Sequence, residues 1–338
     1  MDTVNGFSVT PPSPPPQQIQ KKKKSKVPVI IAVVVACVVV IAMIAGVTAA
    51  LIGATGISYG SGGIDVVYIE GTIAEDTSSS LLSSSTYSQT YIMNTIENLI
   101  DDESSKAILL YLNTPGGAIY QTDEVYLKLL EYKETGRPVY AYMAQTAASG
   151  GYYIACAADK IYCNRNTLTG SIGVIYGTFL NLSDFLEKYG VKTYTFTSGA
   201  NKSMGSSYEP MTEEQKAIFQ SLVDEAYEQF VDIVATGRKM QKSTVYQLAD
   251  GRVYTAKQAL AAGLVDEIAT YEDALESIKK ELGDETLPVV DHKKQASSPF
   301  GSLFGMLGKL REQSEAEVIL DVVTAYNKTG YYCPELAQ

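Results

Sequence analysis

The sequence predicts an α/β domain on a mostly parallel sheet, preceded by one transmembrane helix. Three observations carry this. From Ile64 onward, short apolar runs alternate with stretches of helical periodicity, and such alternation implies βαβ units. The run Ala107 to Leu112 leads into the glycine-rich turn Asn113-Thr114-Pro115-Gly116-Gly117, and Ser149 precedes Gly150-Gly151 at a helix start. Ahead of them, Val27 to Leu51 carries no charge and is long enough to cross a hydrocarbon core of about 30 Å.

The ends are read first. Residues 1–26 hold Pro11, Pro12, Pro14, Pro15 and Pro16 and then Lys21 to Lys24 and Lys26, which read as a disordered basic tail. Residues 27–54 read as a membrane anchor, with the lysines holding the N-terminus in the cytoplasm and the rest outside. A cleaved signal peptide, cut near Ala49 or Ala54, is the alternative; the apolar run is longer than a usual signal-peptide core, which favours a retained anchor. Residues 55–285 form the extracytoplasmic domain, and 286–338 a partly helical tail with segments at Phe300 to Glu312 and Ala316 to Tyr326.

Composition excludes some functions. The formal charge is −11; removing residues 1–54, with five Lys and one Asp, leaves 22 basic and 37 acidic side chains, or −15. That field repels phosphate, so nucleic acid is not an expected partner. Cys37 lies in the apolar run; Cys156, Cys163 and Cys333 show no metal spacing and read as buried thiols, with no zinc site.

The elements follow in order. Ile64 to Ile69 reads as a strand, Tyr91 to Asp101 as a helix, and Ala107 to Leu112 as a buried strand. A helix from Gln121 to Lys133 leads to a strand at Val139 to Met143. After Ser149 comes a helix of small residues (Gly150, Gly151, Ala155, Cys156), suited to a close central position. Lys160 to Cys163 is a strand, Leu182 to Tyr189 a short helix, and Lys192 to Phe196 a strand. Thr212-Glu213-Glu214-Gln215 is a capping box opening a long helix to about Met240. A helix from Thr255 stops at Gly263, and Leu264 to Ile268 is a strand end.

The chemistry centres on a serine. A hydroxyl is a weak nucleophile until a base takes its proton. The chain has one histidine, His292, in the polar stretch Asp291 to Lys294, where it reads as a solvated surface residue. That leaves lysine, which serves when desolvation keeps it neutral. Ser149, before two glycines at a helix start, and Lys202, in Asn201-Lys202-Ser203, are the candidates. Gly116 and Gly117, ending a strand, add a second region of backbone N–H donors for an oxyanion, and sheet C-termini are where open α/β folds place their sites. Taken singly, each piece has an ordinary reading: a helix start, a solvated lysine, a turn, a strand cap at Ser171.

The segments Leu112 to Gly117, Ala147 to Tyr153, Leu168 to Val174 and Gly199 to Ser203, with Met211 to Arg238 and Asp250 to Glu267, resemble the short bacterial form of signal peptide peptidase A over residues 64–275. The resemblance implies a Clp protease/crotonase-like ββα spiral and a ring- or dome-shaped homo-oligomer. It implies a membrane-bound serine endopeptidase that degrades cleaved signal peptides and other short or unfolded peptides, with no metal or cofactor. By motif, Ser149 is the nucleophile and Lys202 the general base. The N–H groups of Gly116 and Gly150 form the oxyanion hole, and Ser171 orients the lysine. In this family the lysine can complete a neighbouring subunit's site, and the C-terminal segment can enter the active-site bowl, which admits self-processing of the tail. Asn201 replaces the usual bulky residue before the lysine, and Ser206 to Pro210 lacks the usual Pro-Phe-Arg-like run, which implies altered substrate contacts. The alternatives are a non-catalytic membrane scaffold on the same fold and an acyl-CoA hydratase or isomerase.

Overall fold

The computed structural model describes residues 62–76 and 86–294, and the backbone of 330–332. The apolar run Val27 to Leu51 and the tail helices expected after Phe300 lie outside the described residues. Among the described residues, no helix is long and apolar enough to cross a membrane.

In chain order the elements are β1 (Ile64–Glu70), α1 (Gln89–Asp101), β2 (Ala107–Thr114), β3 (Gly116–Ala118), α2 (Ile119–Glu134), β4 (Val139–Ala148), α3 (Gly150–Ala155), β5 (Lys160–Cys163), β6 (Leu168–Gly170), α4 (Ser183–Lys188), α5 (Glu213–Gly237), α6 (Lys242–Leu248), β7 (Val253–Thr255), α7 (Ala256–Ala261), β8 (Glu267–Ile268), α8 (Tyr271–Glu281), β9 (Val289–His292) and β10 (Gly330–Tyr332). The main sheet runs β7-β6-β4-β2-β1-β9, with β5 on the first half of β4 and β8 beyond it. Pairing is parallel except between β6 and β7, so the Clp protease-like α/β fold carries a mixed sheet.

The central strands are largely apolar on both faces because both faces are covered. Val67, Ile69, Ile108, Leu110, Leu112, Ala141 and Met143 face one core, with Phe230, Val231 and Val234 of α5. The alternate residues Ile64, Val66, Leu109, Tyr140 and Tyr142 face a second core, closed by Ala274 and Ile278 of α8. The strand period of two thus divides one apolar sequence between two layers. At the start of α5, the Thr212 side chain accepts from the Gln215 N–H, and the Gln215 side chain accepts in return from the Thr212 N–H, as the capping box predicts.

Three differences from the sequence reading have physical causes. The strand at Val139 continues to Ala148, because its second half finds a parallel partner in β6. Lys192 to Phe196 forms no strand and is exposed throughout; a strand needs a neighbour for its backbone groups, and none of the described strands pairs with it. Val289–His292, assigned by composition to the tail, is an edge strand on β1. There the imidazole of His292 is largely buried, with Nε2 2.8 Å from Asp65 Oδ1. The expectation of a solvated surface histidine is therefore corrected: Asp65 of β1 sits within reach of the ring once β9 joins the sheet.

Candidate active site

The sheet brings three strand ends to one edge. Strands β2, β4 and β6 are parallel neighbours, so the residues after them, at 115–117, 149–150 and 171, come together. Ser149 makes the turn from β4 into α3 in a single residue, at φ 54° and ψ −117°. A non-glycine residue there is strained and persists only when its surroundings fix it. The fixing bonds are present: the Ser149 N–H donates to the Gly170 carbonyl at 2.7 Å, and the Ser149 carbonyl accepts from the Tyr153 N–H at 2.9 Å. The residue is 1% exposed, and its Oγ has no hydrogen-bond partner.

Helix α3 is held from behind. The Tyr153 hydroxyl donates to Asp123 Oδ1 of α2 at 2.5 Å and accepts from Gln229 Nε2 of α5 at 2.7 Å. The Tyr152 hydroxyl donates to the Leu264 carbonyl at 2.8 Å. The start of α3 is packed so closely that a Cβ on Gly150 would lie 2.7 Å from Thr122 Oγ1 and 3.3 Å from both Gly116 Cα and Gly117 N. Position 150 is glycine because the space is full. Its N–H is the first of the helix and has no acceptor within it.

The glycine loop is arranged differently from the sequence reading. The Gly116 N–H donates to Thr114 Oγ1 at 3.0 Å, so this expected donor already has an acceptor. The Gly116 carbonyl accepts from the Ile73 N–H at 2.9 Å, and the Ala118 N–H donates to the Ile73 carbonyl at 2.8 Å. The N–H and carbonyl of Gly117 between them therefore face the opposite edge. Along that edge β10 runs antiparallel, with position 331 opposite Gly117, close to α2 and α3. A Cβ on Gly117 would meet the Ile73 carbonyl oxygen at 1.9 Å, so only glycine admits this approach.

Ser171 is buried at φ 50° and donates its N–H to the Arg252 carbonyl at 2.8 Å. Lys202 lies in a turn where its N–H donates to the Gly199 carbonyl at 3.1 Å, and its side chain is exposed. The structure thus gathers Ser149, Gly150, Ser171 and Gly116–Gly117 within one chain and does not join Lys202 to Ser149. Sequence reading missed Thr122, Thr114 and the Tyr153 network; threonines and a tyrosine inside helices and strands carry no local signal of such roles. Cys156 and Cys163 are free and buried, and burial pushes their thiols up to about 12 and about 11. Both are protonated near neutral pH and poorly nucleophilic.

The family described as Clp protease matches residues 77–176, and peptidase family S49 matches residues 131–284. An Enterococcus faecium protein assigned by name to signal peptide peptidase SppA is 38% identical over 265 residues, which span 78% of this chain and 76% of that protein. Protease 4 of Haemophilus influenzae is 34% identical over 63% of this chain and 34% of its own length. The chloroplastic serine protease SPPA of Arabidopsis thaliana is 33% identical over 56% of this chain and 28% of its own. The matched segment is thus only about a third of the one and just over a quarter of the other. The family matches and named relatives make the chain a serine peptidase on a Clp-like fold. The chain belongs to peptidase family S49, with the signal peptide peptidase A proteins.

Proposed function

We propose that this chain is a Ser/Lys-dyad endopeptidase, anchored in the membrane by Val27 to Leu51, with its catalytic domain outside. It acts as a homo-oligomeric ring or dome in which Lys202 of one copy serves Ser149 of the next. The observation that carries the reading is the mismatch at the site: Ser149 Oγ is buried without a partner, while Lys202 sits on an exposed arm that carries two exposed aromatic rings. In that arm Tyr194 is 77% and Phe196 96% exposed. Such a surface suits contact with a second copy. Packing there would also take Lys202 out of water, and desolvation favours the neutral amine that a base requires.

In this mechanism the Lys202 amine takes the Ser149 proton as Oγ attacks the peptide carbonyl. The oxyanion is met by the Gly150 N–H and by the Gly117 N–H, since the Gly116 N–H is taken up by Thr114 Oγ1. The lysine returns the proton to the leaving amine, and water then hydrolyses the ester. The Gly117 edge supports an extended substrate strand, since the chain's own Gly330–Tyr332 already runs antiparallel there. Cleaved signal peptides fit as substrates through the name of the Enterococcus relative.

Mixing two inactive variants tests the reading. Ser149→Ala and Lys202→Ala oligomers, dissociated and reassembled together, are expected to regain a fraction of wild-type cleavage of a fluorogenic peptide. No recovery from a verified mixed oligomer would reject the shared site.

A further inference from the structure

Among the described residues, two buried side-chain polar atoms have no hydrogen-bond partner: Ser149 Oγ and Thr122 Oγ1. Both adjoin the same glycine, since Ser149 precedes Gly150 and Thr122 Oγ1 lies 2.7 Å from where a Gly150 Cβ would be. Buried hydroxyls are nearly always bonded, and an exception in a folded protein calls for a cause. A threonine inside a helix has an easy remedy, a bond to the carbonyl four residues back. Thr95 uses it, donating to the Tyr91 carbonyl at 2.7 Å. Thr122, equally helical and 0% exposed, has no such bond and is turned to the start of α3. Gly116 Cα and Gly117 N close on the same point, each at 3.3 Å.

We infer that Thr122 is a further positioning residue for catalysis. Its hydroxyl hydrogen bond forms only in the reacting complex, when the Gly116–Gly117 loop and the first turn of α3 close on the substrate carbonyl. A group unsatisfied at rest and satisfied in the transition state lowers the barrier, because only bonds that strengthen along the reaction raise kcat. No proton leaves the threonine; the hydroxyl donates a hydrogen bond and keeps its atom. This inference rests on Ser149 being the nucleophile.

The test compares wild type, Thr122→Val and Thr122→Ser in the full chain. Valine keeps the shape and removes the hydroxyl; serine keeps the hydroxyl. Three quantities are read: the second-order rate of labelling at Ser149 by a fluorophosphonate, kcat and KM on a fluorogenic peptide, and the thermal midpoint. The expected result is that Thr122→Val labels at least tenfold more slowly and loses kcat with KM within threefold, while its midpoint equals or exceeds wild type. Thr122→Ser should stay within threefold of wild type throughout. A Thr122→Val enzyme at wild-type rate overturns the inference. So does one that loses rate and thermal midpoint together, or one whose loss serine does not rescue. Absence of label at Ser149 in wild type overturns the nucleophile assignment and this inference with it, and is distinguishable from the other outcomes.

Discussion

The N–H of Ser149 donates to the carbonyl of Gly170 at 2.7 Å, which ties the turn carrying one buried hydroxyl to the strand that delivers Ser171. The bond holds Ser149 in a backbone conformation it would not choose, with a hydroxyl that contributes nothing to the resting fold. Ser149→Ala should therefore abolish peptidase activity without lowering stability. Removing an unpartnered buried hydroxyl should raise stability by up to about 1 kcal/mol. Scanning calorimetry checks this, and a lowered midpoint would reveal a partner for Oγ in the folded protein.

Gly150→Ala should spare the fold and cripple the site. The new Cβ would press on Thr122 Oγ1 at 2.7 Å and on Gly116 Cα and Gly117 N at 3.3 Å, so the first turn of α3 and the glycine loop must separate. Losing one aligned oxyanion donor costs about 10²–10³ in kcat. The expected outcome is a fall of that size in peptide cleavage, with far-ultraviolet circular dichroism unchanged.

Arg238 and Asp266 bind the end of α5 to the segment before β8. Nη2 donates to Oδ1 at 2.6 Å, Nη1 to Oδ2 at 3.0 Å, and the Ile161 N–H also donates to Oδ2, at 2.7 Å. Burial raises the Asp266 carboxyl, but the Arg238 and Ile161 hydrogen bonds outweigh it and hold it below the usual carboxylate range. A depressed acid stabilises the fold above its unfolded value of about 3.9, and that stability is lost as pH falls through the lower, folded value. Asp266→Asn should lower stability near neutral pH by about 2 kcal/mol, a figure discounted because the carboxylate is partly exposed. It should also flatten the loss of thermal midpoint between pH 5 and pH 2. Parallel slopes for variant and wild type would show that this pair does not govern the acid limb.

The sequence was most legible where one strand or helix decides its own fate. The capping box at Thr212, the strand at Lys160 to Cys163 and the buried run from Ala107 follow from local pattern, and so does the serine before two glycines. What escaped it depends on partners distant in the chain. The second half of β4 exists because β6 pairs with it. His292 is largely covered because β9 joins the sheet beside Asp65, 227 positions away, whose carboxylate oxygen lies 2.8 Å from the ring Nε2. Thr114 and Thr122 look like ordinary strand and helix residues until the glycine loop folds over them. Lys192 to Phe196 has a strand's alternation and no partner among the described strands.

That unpaired segment leads to the final expectation. Tyr194 and Phe196 are among the most exposed aromatic residues of the domain, so they contribute little to the fold of one chain. Burying a large aromatic side chain at an interface contributes about 1.5–3 kcal/mol, so two per copy are enough to decide assembly. Tyr194→Ser combined with Phe196→Ser should leave the thermal midpoint of the isolated subunit unchanged. It should reduce the assembled fraction in sedimentation velocity and lower peptide cleavage in proportion. Cleavage that persists in a strictly monomeric double variant would mean that Lys202 reaches Ser149 within one chain, by folding the arm back over its own sheet edge.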